Sequence, residues 1–289
     1  MTIFSMKNVF TKRVRIERLF VFVFFLISAF ASADSPGLEY YGSLTQGGIL
    51  IGKAEKATEV FLNGEQVELT EKGQFVIGFG RDAELEQTLE LVDSEGKRSF
   101  ETLKLVKREY SIQRVEGVPQ KTVTPPKSAL PRIQQETAQV QAARKQFHVR
   151  HDFLGRFEAP ASGRITGVYG SQRFYNGQPK RPHFGVDYAG PVGTPVRAPA
   201  NGIVTLVHPD MYYSGGTLII DHGYNLSSTF IHLSEVLVKE GQEVAQGDII
   251  AKIGQGGRST GPHLDWRMNW KSERVDPQLM LEVQLPDEF

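Results

Sequence analysis

Short blocks of alternating or wholly apolar residues, each closed by glycine, proline or asparagine, recur along most of the chain. From about residue 38 to 106 they follow one another at ~10-residue spacing. Gly47–Gly52 (GGILIG) is an apolar run bounded by glycine, and Glu59–Leu62 leads into Asn63-Gly64, a hairpin signal. Gln74–Phe79 and Thr88–Val92 read as further strands, the second alternating with period 2. The pattern predicts a small immunoglobulin-like β-sandwich. It carries no cluster of metal-binding or nucleophilic residues, so a spacer or binding module is the expected role.

The pattern changes between residues 118 and 150. Pro119, Pro125, Pro126 and Pro131 interrupt the first half, which reads as an extended linker. Ile133–Phe147 is rich in Gln, Ala, Glu and Lys and predicts a connecting helix, polar on most faces. Arg144, Lys145 and Arg150 read there as solvated charge. From Phe157 onward β-branched residues and glycines return, with strands expected at Ile165–Val168, Thr194–Ala198, Gly202–Val207, Thr217–Asp221, Ser228–His232 and Asp248–Ile253. No long helix intervenes. The fold class is all-β, mostly antiparallel: a sandwich over 34–117, a proline-rich and partly helical linker over 118–152, and a second β domain over 153–283.

Residues 1–33 read as a cleavable signal peptide. Five basic residues precede or border the apolar run Leu19–Phe30, and Ala31-Ser32-Ala33 supplies small residues for cleavage. At about 12 residues the run is shorter than the ~20 that span a bilayer as a helix. No stable membrane span is expected after cleavage. The leader holds five basic residues and one acid, so its removal leaves 28 basic and 32 acidic residues, a net of about −4. A mildly acidic chain is a poor match for phosphate, which excludes nucleic acid as the expected partner. The chain has no cysteine, which removes disulfides, thiolate zinc sites and cysteine nucleophiles.

Candidate chemistry concentrates in two phrases. RPHFGVDYAG carries His183 and Asp187 as H-x-x-x-D, and STGPHLDWRMNW carries His263 and Asp265 as H-x-D. A catalytic zinc needs three protein ligands and an open position, and these four residues can supply the ligands and leave one for proton transfer. Residues i and i+2 of a strand share a face, so His263 and Asp265 would both face the site, with Trp266 turned into the core. Arg267 would share that face and could pair with the Asp265 carboxylate.

The segment from about Gly163 to Pro277 resembles the LytM/lysostaphin-type zinc peptidases, which cut peptide cross-links in peptidoglycan. The matching phrases run in order: HFGVD from His183, GTPVRAP from Gly193, Asn201-Gly-Ile-Val, Ile220-Asp-His-Gly, Phe230-Ile-His-Leu, Val244-Ala-Gln-Gly-Asp, Ile253-Gly, and STGPHL from Ser259. The resemblance implies one Zn2+ held by His183, Asp187 and the residue at position 265. It implies that His232 and His263 assist as general base and as hydrogen-bond donor to the developing oxyanion. The substrate would be stem peptides or cross-links of peptidoglycan, and the compartment the periplasm, with secretion as the alternative.

The departure from the family pattern is Asp265, where the family has histidine. Carboxylate is a permissible zinc ligand but an anionic one, so a His-Asp-Asp site would be neutral with zinc and the weaker Lewis acid. Three readings stay open: Asp265 ligates zinc in an active zinc metalloendopeptidase; the site is degenerate and the module binds and activates a cell-wall amidase or another divisome or elongation factor; or the metal serves structure alone. Retention of His183, Asp187, His232 and His263 together favours activity.

Tyr212 and Tyr213 sit in a glycine-containing loop and are candidate substrate-groove residues, as is Arg173 in the segment Gln172–Gly177. His222 reads as a turn or surface histidine, His208 as a loop residue, and His148 and His151 as exposed residues at the end of the linker helix. Because these last two adjoin the second domain, the linker is also a candidate shield for the site.

Overall fold

The computed structural model describes residues 37–289. The expected signal peptide lies outside the described residues. Among the described residues no helix is long and apolar enough to cross a membrane.

The first domain has seven strands: β1 (Leu38–Gly42), β2 (Ile49–Ala54), β3 (Ala57–Leu62), β4 (Glu65–Val67), β5 (Gln74–Gly78), β6 (Glu86–Asp93) and β7 (Arg98–Lys104). They form a sheet in the order β1-β2-β5 and a second in the order β4-β3-β6-β7. Leu62 pairs with Glu65 across the hairpin, and Asn63 and Gly64 both take positive φ (52° and 82°), which a two-residue turn of this hand requires. On β6 the inward residues Gln87, Leu89 and Leu91 are buried, as period 2 demands. β2 is buried at almost every position, which explains its unbroken apolar run.

This domain docks onto the second instead of hanging from a tether. One hydrophobic cluster contains residues of both, from Leu38 to Val283. A Cβ on Gly78 would lie 2.6 Å from Val275 and 3.0 Å from Trp270, so the close approach requires glycine. Arg108 pairs with the buried Asp276 at 2.9 Å across the same junction.

The linker is ordered into the second domain as well. β8 (Ile112–Val115), expected inside the sandwich, pairs in parallel with β10 (Gln172–Tyr175), so its partner lies some sixty residues downstream. The proline-rich stretch, expected to be extended, contains the short helix α1 (Gln120–Val123) and a 3-10 turn over Lys127–Ala129. Helix α2 runs over Leu130–Arg144, three residues earlier at both ends than the composition suggests, because Pro131 fits the first turn of a helix. Val140 and Ala143 seat α2 on Leu206, Met211 and Ile219.

The second domain continues with β9 (Ile165–Gly167), β10, β11 (Gln178–Pro179), β12 (Val186–Ala189), β13 (Pro195–Arg197), β14 (Gly202–Met211), β15 (Gly215–Asp221), β16 (Leu226–Val236), β17 (Glu243–Val244), β18 (Ile249–Ile253), β19 (His263–Trp270) and β20 (Glu273–Val275), closed by α3 (Pro277–Leu281). Its main sheet runs β17-β14-β15-β16-β19-β12-β9. Every pairing within that sheet is antiparallel, in keeping with the expected fold class. β19 alternates as predicted: Leu264, Trp266, Met268 and Trp270 enter the core, and Trp266 is wholly buried. His263, Asp265, Arg267 and Asn269 therefore take the opposite face.

Candidate metal centre

Register brings the candidate ligands together. Asp187 on β12 is directly opposite Asp265 on β19, and directly opposed residues of antiparallel strands project to one face. His183 precedes β12, four residues before Asp187. Its Nε2 lies 3.1 Å from Asp187 Oδ1, and its Nδ1 lies 3.8 Å from Asp265 Oδ2. One donor atom from each of His183, Asp187 and Asp265 falls within 4.8 Å of the others. All three side chains are buried. Gly185 makes room for the cluster, since a methyl group there would collide with Asp265 Oδ1.

Two like carboxylates face to face in a buried site need compensation, and two guanidiniums provide it. Arg173 Nη2 donates to Asp187 Oδ2, its Nε to Gln113 Oε1 at 2.8 Å, and its Nη1 to the Tyr175 hydroxyl at 3.1 Å. Arg267 grips Asp265 at two points, Nε to Oδ1 at 3.0 Å and Nη2 to Oδ2 at 2.6 Å. Burial alone would raise both carboxyl pKa values. His183, Arg173 and His263 outweigh it at Asp187 and hold that group well below the usual carboxylate range. Arg267 and His183 outweigh it at Asp265, whose pKa is lowered to about 2. Both groups are thus carboxylates at neutral pH, the form that binds metal.

The polar atoms left over point to a cation. His183 Nδ1, His183 Nε2 and Asp187 Oδ1 are buried and have no hydrogen-bond partner. Orphaned buried polar groups are costly, and a metal ion held by Asp187 Oδ1 and one His183 ring nitrogen would relieve both of those atoms. Asp265 still has lone pairs free, because Arg267 takes one on each oxygen and a carboxylate offers about four. The donor set is of the kind zinc takes, an imidazole nitrogen with carboxylate oxygens, with His183 Nε2 and Asp187 Oδ1 3.1 Å apart and the three donors within 4.8 Å of one another.

His232 and His263 pack beside this cluster, with ring centroids 4.7 Å apart. His263 Nε2 is 3.8 Å from Asp187 Oδ1, and its Nδ1 donates to the Gly261 carbonyl at 2.8 Å. His232 Nδ1 donates to the Gly256 carbonyl at 2.7 Å. A carbonyl only accepts, so both neutral rings carry the proton on Nδ1 and expose a lone pair at Nε2. His232 has a left-handed backbone (φ 64°) beside a register shift in β16. Its amide donates to the Ser214 carbonyl at 2.7 Å, which helps hold that conformation. A β-region residue here would aim the ring elsewhere, so the strain is tied to its direction. Burial and the neighbouring His263 push its pKa down to about 4.

Residues 181–277 match the model of Peptidase family M23. The second domain belongs to peptidase family M23. The M23 domain is 36% identical over 116 residues to "Peptidoglycan DD-endopeptidase ShyA" of Vibrio cholerae, a match covering 39% of this chain and 26% of that protein. It is 40% identical over 106 residues to "DD-carboxypeptidase/endopeptidase Mpg" of Neisseria meningitidis, covering 37% of this chain and 24% of that one. The matches thus span about a quarter of these relatives' length. A crystal structure from Pseudomonas aeruginosa, provisionally assigned to peptidase M23, superposes with a TM-score of 0.65 at 28% identity, covering 83% of this chain and 95% of that one. That likeness extends beyond the M23 domain into the preceding β domain and linker.

The remaining candidates fall differently. Arg173 adjoins the cluster, but its guanidinium is buried and engaged by three partners, so it steadies Asp187 where an open groove wall was expected. Tyr212 stacks edge-on against Tyr213, and its hydroxyl donates to the Lys121 carbonyl at 2.6 Å, tying the loop to α1. Tyr213 lies under the Arg258 guanidinium, 4.9 Å from its ring centroid. His222 is fully buried, not at the surface: its rings nitrogens meet the Asn201 carbonyl at 2.7 Å and the Ser228 hydroxyl at 2.8 Å. His208 lies within β14, and His148 is partly buried against Asp221 at 2.6 Å. Gln113 and Arg144 had no local signal, because both reach the M23 domain only through docking of the linker.

Proposed function

We propose that this protein is a zinc-dependent endopeptidase that hydrolyses peptide bonds in peptidoglycan stem peptides or cross-links, after export to the periplasm. The observation that carries the reading is the set of orphaned donor atoms on His183 and Asp187 facing Asp265. His183, Asp187 and Asp265 would hold the ion. When bound, zinc would polarise the scissile carbonyl and lower the pKa of the attacking water.

Asp265 and Arg267 act together in this reading. The pair is neutral, as a histidine ligand would be, so the site need not be the weaker Lewis acid that aspartate alone implies. His263 accepts the proton of the attacking water at Nε2 and delivers it to the departing amine nitrogen. His232 stays neutral and orients the water through its own Nε2 lone pair. A donor role toward the oxyanion would need a proton on Nε2, which burial of His232 opposes.

The first domain and linker serve to hold the site: β8 presents Gln113 to Arg173, which in turn holds Asp187. The alternative role, activation of an amidase by a silent module, gains no support from a site that retains both histidines and the buried donor set. Metal analysis with zinc titration tests the reading. One zinc per chain is expected, with binding lost in His183→Ala. Zinc binding that is unchanged in that variant would rule out this site.

A further inference from the structure

We propose that a cleft reached from the ligand cluster along one face of β19 is a carboxylate subsite for the peptide substrate, built from Arg144, Arg181 and Arg274; it rests on the peptidase reading above. The cleft measures about 780 Å³ and lies between α2, the β3–β4 hairpin and the β19–β20 turn. Its acidic residues are already engaged. Glu65 and Glu68 lie 3.2 and 3.7 Å from Lys271, and Glu136 accepts from Arg132 at 2.6 Å and from the Tyr212 amide at 2.8 Å. Among the described residues none of the three arginines is paired with a carboxylate.

Arg144 reaches from the last turn of α2 onto the sheet, where Nη2 donates to Thr229 Oγ1 at 2.9 Å. Its Nε is buried without a partner. The Arg274 guanidinium sits 4.9 Å from the centroid of the Phe184 ring, and Arg181 is exposed. Burial, together with the other guanidiniums, pushes Arg144 down to about 9 and Arg274 down to about 10. Unpaired cations crowded into a cleft are relieved by an anion, and guanidinium suits a carboxylate geometrically. The buried, unpartnered Asn269 Oδ1 offers an acceptor to a peptide N–H in the same cleft.

Position gives the subsite its specificity. Asp265, Arg267 and Asn269 succeed one another on one face of β19, and Asn269 lines the cleft. Four residues of strand span roughly 13 Å. An extended peptide advances at most ~3.3–3.6 Å per residue, so a carboxylate about four residues from the bond held at Asp265 would reach the arginines. The preferred substrate is therefore an anionic peptide with a free carboxylate at that distance.

The test uses the full chain and two synthetic peptides, one with a free C-terminal carboxylate and one with that group amidated. Calorimetry without added metal is expected to show the acid binding roughly 10-fold or more tightly than the amide. Arg144→Gln and Arg274→Gln should each reduce the preference and the double variant abolish it. Arg181→Gln, at an exposed position, provides the same reading if a buried variant does not fold. In hydrolysis the difference should appear in KM and not in kcat. Equal binding of the two peptides, or a preference that persists in the folded double variant, overturns the subsite. A preference without hydrolysis by zinc-loaded protein keeps the subsite and removes the peptidase reading; hydrolysis without a preference does the reverse.

Discussion

Asp265 and Arg267, two residues apart on β19, form a two-point ion pair at 3.0 and 2.6 Å, with the carboxylate fully buried and the guanidinium side chain 24% exposed. Removing one partner of a buried pair leaves an uncompensated charge, typically at a cost of about 3–5 kcal/mol. Arg267→Gln should therefore destabilise the metal-free protein strongly in thermal unfolding. It should also tighten zinc binding, because the freed carboxylate donates more charge to the ion, while kcat falls with the weaker Lewis acid. Zinc affinity equal to wild type in this variant would show that the pair is structural only.

Asp265→His alone creates the family pattern at that position but strands Arg267 beside the ion. Zinc affinity should drop, and activity should stay below wild type. The double variant Asp265→His with Arg267→Gln should recover affinity and activity beyond what the single changes predict. Such non-additivity is the signature of two residues acting as a unit. Additive effects in the double-mutant cycle would separate the two residues.

His232 has its pKa lowered to about 4 from an ordinary 6.5 by burial and by His263. The sign follows from which state binds protons: below pH 6.5 the unfolded chain protonates this ring and the folded one resists until pH 4. The stability it contributes is present above pH 6.5 and is lost as the pH falls through 4. Melting temperature of the metal-free protein should drop across that window, and His232→Gln should flatten the drop. An identical pH slope in wild type and variant would contradict burial of this ring.

Gln113 holds Arg173 from β8, so the linker should matter to the candidate metal centre as support. Gln113→Ala should weaken zinc binding several-fold with little loss of global stability. A fragment lacking residues 34–150 should melt lower and bind zinc more weakly, because it exposes Leu206, Met211 and Ile219 and loses β8. Equal zinc affinity and equal activity in fragment and full chain would reject this role of the linker.

Local features of this fold were legible in the sequence where they follow from local geometry. The Asn63-Gly64 turn needs two positive φ values, and β19 alternates because one face is core. H-x-x-x-D and H-x-D pointed to the candidate ligands because each motif is short. What escaped depends on distant docking. β8 pairs with a strand some sixty residues away, so nothing near Ile112 signals it. His222 looks like a turn residue, yet Asn201 and Ser228 satisfy both its nitrogens in the core. Arg144 looks like a solvated helix residue until α2 is laid across Thr229. Arg267 was readable from strand parity, but the grip on both Asp265 oxygens, and with it the neutrality of the pair, required coordinates.

Digestion of purified peptidoglycan sacculi, with the released fragments identified by mass spectrometry, bears most directly on the claim that this cluster is a peptidase centre. Protein carrying one zinc per chain should release fragments cut at peptide bonds, chelation should abolish the release, and one equivalent of zinc should restore it. Release that survives chelation, or no cleavage by protein shown to carry zinc at His183, would contradict it.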